Sequence, residues 1–278
     1  MFDGATRTLS PFRTPHRAAP SLADTRLARL PFLSADELGA LKDCAASRQP
    51  VNACAELVRE GVPADRLFFI EEGWACQYTT TRDGRRQILA LSLPGDVCDP
   101  AALLLGQRDS GIRMLSSGTV LSVPRNRLVA LAAAHPGITR AFTLLGFVDN
   151  AILSRRALSL GRLFARERLA HLLCELAVRL GHGAPDGMVT YDMPLTQEHL
   201  ADALGLTPVH INRTMQALRR ERLVDSSRRM TTIFDVAVLR RIGGFQPDYL
   251  HIDALEAGTP AERAAAHGHG LNLLHEKR

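Results

Sequence analysis

The 278-residue sequence lacks any apolar run that is long enough and free enough of charge to cross a lipid bilayer. Residues 1–20 contain arginines but no apolar segment of the kind that a secretory signal peptide needs. These absences argue against a membrane partner and against secretion, so we expect a cytoplasmic protein. With 46% hydrophobic residues and a formal net charge of +5, the composition fits two modest, mildly basic domains.

Cysteine is scarce, and its spacing is uninformative for metal binding. The five cysteines are an odd number, and no two of them form a C-x-x-C pair. This spacing argues against a disulfide framework and a zinc ribbon, so we expect reduced thiols. The positions are Cys44, Cys54, Cys76, Cys98 and Cys174.

Histidine is absent from residues 51–123, where short apolar runs alternate with turn signals. Such regularly spaced turns predict a small β-barrel or jelly roll. The clearest hairpin turn is Asp83-Gly84, and we expect Trp74 to pack under the barrel. A jelly-roll enzyme would need metal-binding histidines inside its barrel. We therefore expect no catalytic residue, no metal and no cofactor.

Residues 195–235 carry the pattern of a winged helix-turn-helix. Thr196 and Thr207 are N-cap residues of two short helices, and Pro208 suits the first position of the second helix. Residues 223–235 then predict a hairpin, the wing, with a polar and basic link at 226–230 between its strands.

The second helix of this pattern combines an apolar stripe with a face rich in hydrogen-bond donors. Between residues 207 and 229 there are six arginines against two acidic residues. Positive charge neutralises phosphates, and these donors suit base edges in a major groove, so the predicted partner is double-stranded DNA. The candidate DNA-binding residues are Thr196, Thr207, Val209, His210, Asn212, Arg213, Gln216, Arg220, Arg228 and Arg229.

A longer helical pattern covers residues 137–160, where apolar residues recur at alternating steps of four and three. This spacing can seam two helices together, and a homodimer would match a twofold DNA site. The same stripe can instead cover the chain's own barrel. The sequence does not distinguish between these two alternatives. The candidate dimerisation residues are Ala141, Leu145, Val148 and Ile152.

Together the patterns predict an α+β chain with an N-terminal β-barrel or jelly-roll sensor domain, a long dimerisation helix and a C-terminal winged helix-turn-helix. A helix from about Leu30 to Cys44, capped by Ser34, leads into the barrel. The predicted boundaries are 1–20 for a flexible leader, 21–136 for the barrel domain, 137–161 for the dimerisation helix, 162–250 for the DNA-binding domain and 251–278 for a flexible tail.

This order of parts resembles the Crp/Fnr family of bacterial transcription regulators. The resemblance covers about residues 30–250 and is carried by L-P-G-D at 93–96 and L-T-Q-E-H-L-A-D-A-L-G-L-T-P-V-H-I-N-R-T at 195–214. It implies a barrel of the cyclic-nucleotide-binding type followed by a DNA-binding domain.

The resemblance also implies roles along the second helix of the helix-turn-helix. Arg213 matches the position where the family places an arginine that reads guanine. Thr207 and His210 match positions that touch phosphate, and Gln216 matches one that reaches further along the groove. Val209 stands where a base-reading glutamate is usual, so the operator should differ there from that of the cyclic-AMP receptor.

Members that bind cyclic AMP carry a Gly-Glu pair for the ribose and an Arg-Ser pair for the cyclic phosphate, and this chain has neither. Counted from Gly95-Asp96, the glutamate position falls on Pro100 and the other pair on Ser110-Gly111. A buried phosphate without a cation is costly, so we expect no useful binding of cyclic AMP. The candidate effector-pocket residues are Gly95 and Asp96, with Arg108 and Arg113 only if the intervening loop shifts.

The oxygen-sensing members hold an iron–sulfur cluster with four cysteines, three of them closely spaced before the barrel. Here Cys44 and Cys54 have no third cysteine nearby. An alternative is a haem- or thiol-based redox or gas sensor that uses Cys76 or Cys98, although buried strand cysteines are the simpler interpretation.

The predicted function is a homodimeric, sequence-specific transcription regulator that binds a twofold-symmetric operator, with RNA polymerase as a further partner if it is an activator. Two other classes stay open: a barrel whose main role is ligand sensing or enzymatic turnover, and a scaffold that uses the helix-turn-helix for protein contacts. The effector, the sign of regulation and the target genes are not fixed by the sequence.

Overall fold

The structure is a computed structural model, and it describes residues 21–182, 187–227 and 229–256. The leader predicted at 1–20, the wing residue Arg228 and most of the predicted tail, 257–278, lie outside the described residues. The fold is α+β, as the sequence predicts, with a sheet domain, a long helix and a helical C-terminal domain.

The N-terminal domain contains two four-stranded antiparallel sheets that follow helix α1. One sheet has the strand order β1-β8-β3-β6 and the other β2-β7-β4-β5, so strands far apart in the sequence pair with each other. This topology confirms the predicted jelly roll. The elements are α1 (Ala35–Asp43), β1 (Ser47–Val51), β2 (Glu56–Val58), β3 (Arg66–Glu72), β4 (Ala75–Thr80), β5 (Arg86–Ser92), β6 (Val97–Cys98), β7 (Gly111–Met114) and β8 (Gly118–Pro124).

Local sequence explains the edges of this domain. Ser34 caps α1 in a reciprocal capping box with Glu37, as its position predicts. Strands β4 and β5 pair across the turn at Asp83-Gly84, where Gly84 has a φ of +84° that favours glycine. Trp74 is 2% exposed and belongs to the main hydrophobic core, as expected.

Two helices, α2 (Arg125–Ala134) and α3 (Pro136–Arg162), follow the sheets. Helix α3 is 27 residues long and packs one side against the barrel. The start of α3 is joined to α1, since the backbone N–H of Gly137 donates to the Glu37 carboxylate at 2.6 Å.

The predicted dimerisation stripe must be corrected. Within the single chain, Ala141 is 0% exposed, Leu145 7%, and Val148 and Ile152 6% each, and all four belong to the core between α3 and the barrel. A side chain that is buried within its own protomer cannot also form a helix–helix seam with a partner. The stripe therefore covers the barrel, which is the alternative that the sequence left open.

The C-terminal domain packs a three-stranded sheet of order β10-β11-β9 against helices. The wing is a hairpin, as predicted, but its strands extend into the link predicted at 226–230. Strand β9, the third strand of the sheet, was not predicted. The elements are α4 (Ala165–Ala177), β9 (Val189–Asp192), α5 (Gln197–Leu204), α6 (Pro208–Arg220), β10 (Val224–Ser227), β11 (Met230–Ile233), α7 (Val236–Gly243), a 3-10 turn (Pro247–Leu250) and α8 (Ile252–Glu256).

Arg168 joins the helices at the junction between the long helix and the DNA-binding domain. Its guanidinium donates to the carbonyls of Leu160 and Leu163 at 2.8 Å each and to that of Leu204, at the end of α5, at 2.9 Å. One side chain thus satisfies three helix-terminal acceptors, which otherwise lack partners within their helices.

A short helix follows residue 250, the predicted end of the DNA-binding domain. Helix α8 lies within the segment predicted as a flexible tail, and its Leu255 is 8% exposed. The side chain of Leu255 is therefore buried against the rest of the protein.

No single helix in the described ranges is both long and apolar enough to span a membrane. The bent pair of α2 and α3 satisfies the same length and composition criterion only when its two helices are counted together.

Candidate DNA-binding surface

The helix-turn-helix is built on two capped helices and a glycine turn. The Thr196 hydroxyl accepts the His199 N–H at 3.1 Å, and the Thr207 hydroxyl accepts the His210 N–H at 3.2 Å, so both predicted N-caps are confirmed. Gly205, at φ +60°, ends α5 in the left-handed conformation. These three residues mark where α5 begins, where it ends and where α6 begins.

Helix α6 has two distinct sides. Ile211, Met215 and Leu218 are at most 7% exposed and pack into the domain. The opposite side projects outward, and its exposed residues are Val209, His210, Asn212, Arg213, Gln216 and Arg220. The structure thus brings the sequence-predicted residues of this helix together on one continuous face.

This face borders an open concavity of about 650 Å³. Arg166, in the first turn of α4, lines the same concavity and was missed by the sequence analysis. Its sequence signal is weak, because one arginine in an Arg-rich linker is not distinctive. The lining residues are Arg166, His210, Asn212, Arg213, Thr214, Gln216, Ala217 and Arg220.

The arginines of this region differ in how available their charge is. Arg213 and Arg220 are exposed and form no ion pair with any described residue. Arg219 instead turns toward the wing, where it pairs with Asp225 at 3.3 Å and donates to the Ser226 carbonyl. Arg166 is paired with Glu221. Arg213 and Arg220 therefore place positive charge without a carboxylate partner on the outward face of α6.

The wing presents one described basic residue near its tip. Arg229 is exposed, and its guanidinium makes two bonds to the Asp192 carboxylate on β9, at 2.8 and 3.1 Å. This bidentate contact orients the side chain and offsets part of its charge.

Comparison with known proteins gives two family matches. The description of the first is "Cyclic nucleotide-binding domain", over residues 48–135, and that of the second is "Crp-like helix-turn-helix domain", over residues 167–242. The transcriptional activator protein FnrL of Cereibacter sphaeroides is 30% identical over 197 residues, which cover 69% of this chain and 78% of that protein. The chain belongs to the Crp/Fnr family of transcription regulators.

Other members align over much of the length of this Crp/Fnr regulator. Electron transport regulator A of Shewanella oneidensis is 27% identical over 218 residues, covering 77% of this chain and 86% of that protein. The solved structure of FixK2 from Bradyrhizobium japonicum matches with a TM-score of 0.65 and 25% identity, over 73% of this chain and 99% of that one. The stretch that matches the Crp-like helix-turn-helix domain, residues 167–242, contains α5 and α6.

The candidate effector region of this Crp/Fnr regulator is filled by its own charged side chains. Asp96 accepts ion pairs from Arg26 at 3.1 Å and from Arg179 at 3.0 Å. The crevice between Asp96 and α3 has a volume of only about 20 Å³, which is room for about one water molecule.

The sequence offered Arg108 and Arg113 as candidate phosphate ligands if the intervening loop shifted, but neither lies at this crevice. Arg108 is 2% exposed, and it donates to Asp99 and to the Arg66 carbonyl at 2.5 Å each. Arg113 lies on β7, with its guanidinium 5.5 Å from the centre of the Tyr78 ring. Neither lines the crevice, because β7 and the loop before it direct them elsewhere. Gly95 forms the tight turn before Asp96, at φ +92°.

The barrel thiols are poor candidates for redox chemistry. Cys76 and Cys98 are 0% exposed, and burial raises the pKa of each thiol to about 12. A thiol reacts as its thiolate, so these two are inert near neutral pH. Among the residues that the structure describes, no three His, Cys, Asp or Glu side chains are grouped so that they could hold a metal ion.

Asp149 on α3 lines the crevice, and its protonation makes the stability of the folded state depend on pH. Burial, followed by the charge of the nearby Asp96, raises the pKa of Asp149 to about 7. Arg179 and Arg26 act in the opposite direction, but they are already paired with Asp96.

We predict that Asp149→Asn stabilises the protein more at pH 8 than at pH 5. The folded state holds the proton of Asp149 more tightly than the unfolded state, so its carboxyl costs stability as pH rises from about 4 to about 7. Urea unfolding of both proteins across this range measures the difference. Asp248→Asn, at an exposed position, is measured beside it as a control, and an equal effect of Asp149→Asn at both pH values would contradict the assignment.

Proposed function

We propose that this Crp/Fnr regulator binds double-stranded DNA sequence-specifically by placing the outward face of α6 in a major groove. The observation that carries the proposal is the division of α6 into a buried apolar side and an exposed face of donors. The apolar side of α6 packs into the domain and holds the helix in place, while its exposed face carries hydrogen-bond donors and positive charge. Such a helix fits a major groove in shape and charge. As a DNA-binding regulator, the protein would act in the cytoplasm.

Within this proposal the exposed residues divide by chemistry. Arg213 is the base-reading residue, because its guanidinium can donate two bonds to O6 and N7 of one guanine. Asn212 and Gln216 are further groove contacts, and Val209 offers a methyl contact to thymine. The remaining candidates, Thr196, Thr207, His210, Arg220, Arg228 and Arg229, together with Arg166, would contact phosphates and position the helix.

We predict that Arg213→Ala weakens binding to the selected operator by about 1–3 kcal/mol, which is roughly fivefold to 150-fold, and relaxes base preference at one position. Binding to random duplex should be largely kept, because most phosphate contacts remain. Fluorescence anisotropy on operators from in vitro selection, and on a scrambled duplex, measures both effects. Arg241→Ala, an exposed arginine on α7, is the matched control. An equal loss on both duplexes would refute a base-reading role.

We further propose a homodimer that is formed by the other side of α3 and matches a twofold-symmetric operator. Along that side, exposed residues recur at the alternating spacing of a two-helix seam. Most of them are small, which allows close approach of two helices, whereas Phe147 is large and 67% exposed. The residues are Thr143, Phe147, Asn150, Ser154, Ala157 and Gly161.

We predict that Phe147→Arg shifts the protein from dimer to monomer at micromolar concentration. The substitution places like charges opposite each other across the twofold axis and removes apolar area from the seam. Analytical ultracentrifugation measures the association. Phe234→Arg, on an exposed aromatic of the DNA-binding domain, should leave the dimer intact. An unchanged dimer in Phe147→Arg would place the interface elsewhere.

Cyclic AMP is not the effector in this proposal. The crevice at Asp96 is too small for a nucleotide, and its two arginines already neutralise the chain's own carboxylates. A haem- or thiol-based sensor is the alternative, but the burial of Cys76 and Cys98 speaks against it. We infer a regulator without enzymatic turnover, which would contact RNA polymerase if it activates transcription.

We predict that 1 mM cyclic AMP shifts neither the melting temperature of the protein nor its affinity for the operator. This concentration is about 1,000 times the dissociation constant of a ligand that binds with micromolar affinity. A ligand that binds only the folded state with such a constant would add about 4 kcal/mol of stability. Thermal unfolding with and without the nucleotide, beside a cyclic-AMP-binding family member, measures the shift. A clear rise in melting temperature would contradict our interpretation of the crevice.

A further inference from the structure

The chain continues past the end of the matched helix-turn-helix domain at residue 242 and returns toward the barrel. We call residues 247–256, the 3-10 turn and α8, the C-terminal strap. Three of its side chains are buried, with Tyr249 and Leu255 8% exposed and Leu250 1%. A terminal segment that buries this many large side chains is docked against the protein.

Tyr249 attaches the strap to α3 and α4. Its hydroxyl donates to Glu175 Oε2 at 2.8 Å and lies 3.0 Å from His171 Nε2. Its ring stacks on the His171 ring, with centroids 5.8 Å apart, and the Arg155 guanidinium of α3 lies 5.2 Å from the ring centre. The tyrosine thus contacts both helices at the junction between the two domains.

Glu175 extends this contact to the barrel. Its carboxylate pairs with Arg156 of α3 at 3.4 Å and with Arg179 at 3.6 Å. Arg179 in turn binds Asp96 in the turn before β6. A continuous run of buried polar contacts therefore leads from the strap to the sensor domain.

Leu255 attaches the other end of the strap to the crevice at Asp96. Its side chain lines this space together with Val97 of the barrel and Val148 and Ile152 of α3. The strap therefore closes the region of the barrel where the sequence placed the effector pocket.

We propose that Tyr249 and Leu255 are positioning residues, through which the strap holds the DNA-binding domain in one orientation on the barrel and α3. The orientation of α6 is then set by the chain's own C-terminal segment. This inference rests on the proposed DNA binding and homodimer. Two recognition helices in a fixed orientation engage both half-sites at a high effective concentration, whereas loosely held domains lose that advantage.

The test compares full-length variants on two duplexes. One is an operator selected in vitro by the unmodified protein, and the other is the same duplex with one half-site scrambled. Tyr249→Ala removes the ring and the hydroxyl, Tyr249→Phe removes the hydroxyl alone, and Leu255→Asp places a charge beside Asp96. Asp248→Ala, an exposed residue on the same turn, is the matched control.

We expect Tyr249→Ala and Leu255→Asp to lose about tenfold in affinity for the full operator and less than about twofold for the single half-site. Tyr249→Phe should show a smaller loss of the same kind, and Asp248→Ala none. Equal losses on both duplexes would indicate a folding defect and overturn the positioning role. Unchanged or tighter binding of the full operator would also overturn it.

Hydrogen exchange separates failure of this inference from failure of the proposed function. If the unmodified protein selects no DNA sequence, the proposed function is wrong, but the strap can still be tested on the protein alone. We then expect Tyr249→Ala to speed amide exchange in α4 and β5 relative to Asp248→Ala. No difference between those two variants would overturn the strap.

Discussion

The structure depends on a set of buried charges at the point where barrel, long helix and DNA-binding domain meet. The carboxylate of Glu175 pairs with Arg156 and Arg179, Arg179 also pairs with Asp96, and the side chains of all four are at most 11% exposed. Removing one partner of such a set leaves an uncompensated buried charge, which typically costs about 3–5 kcal/mol. The same arginines also donate to the carbonyls of Leu89 and Leu91 on β5, so the network fixes the relative position of three parts of the fold.

This arrangement changes what the barrel can do. The chain belongs to a family with a domain of the cyclic-nucleotide-binding type, yet the space beside Asp96 is lined by side chains from α3, from the helical turn after α4 (Val178–His182), from the N-terminal segment and from the C-terminal strap. Arg26 is paired with Asp96, and Arg179 with both Asp96 and Glu175, so the chain's own carboxylates compete with a phosphate for these arginines. The barrel therefore serves as a support for the helices that follow it, in addition to any sensing role.

Helix α3 uses its two sides for different purposes. The side that carries Leu145 and Val148 covers the barrel, whereas the side that carries Phe147 and Asn150 is exposed at a spacing suited to a second helix. Both sides repeat at steps of three and four, because that is the geometry of any α-helix. The periodicity therefore identifies a helix but not which of its sides meets which neighbour.

The sequence by itself determined the local features: the caps at Ser34, Thr196 and Thr207, the hairpin turn at Gly84, and the donor-rich face of α6. These features depend on contacts between residues a few positions apart, so short-range rules suffice to predict them. Tertiary structure alone decided the side of α3 that faces the barrel, the strand β9, the partners of Arg108 and the docking of Leu255. Each of these is a contact across more than eight positions, and its energy depends on which charges and apolar surfaces the folded chain brings together.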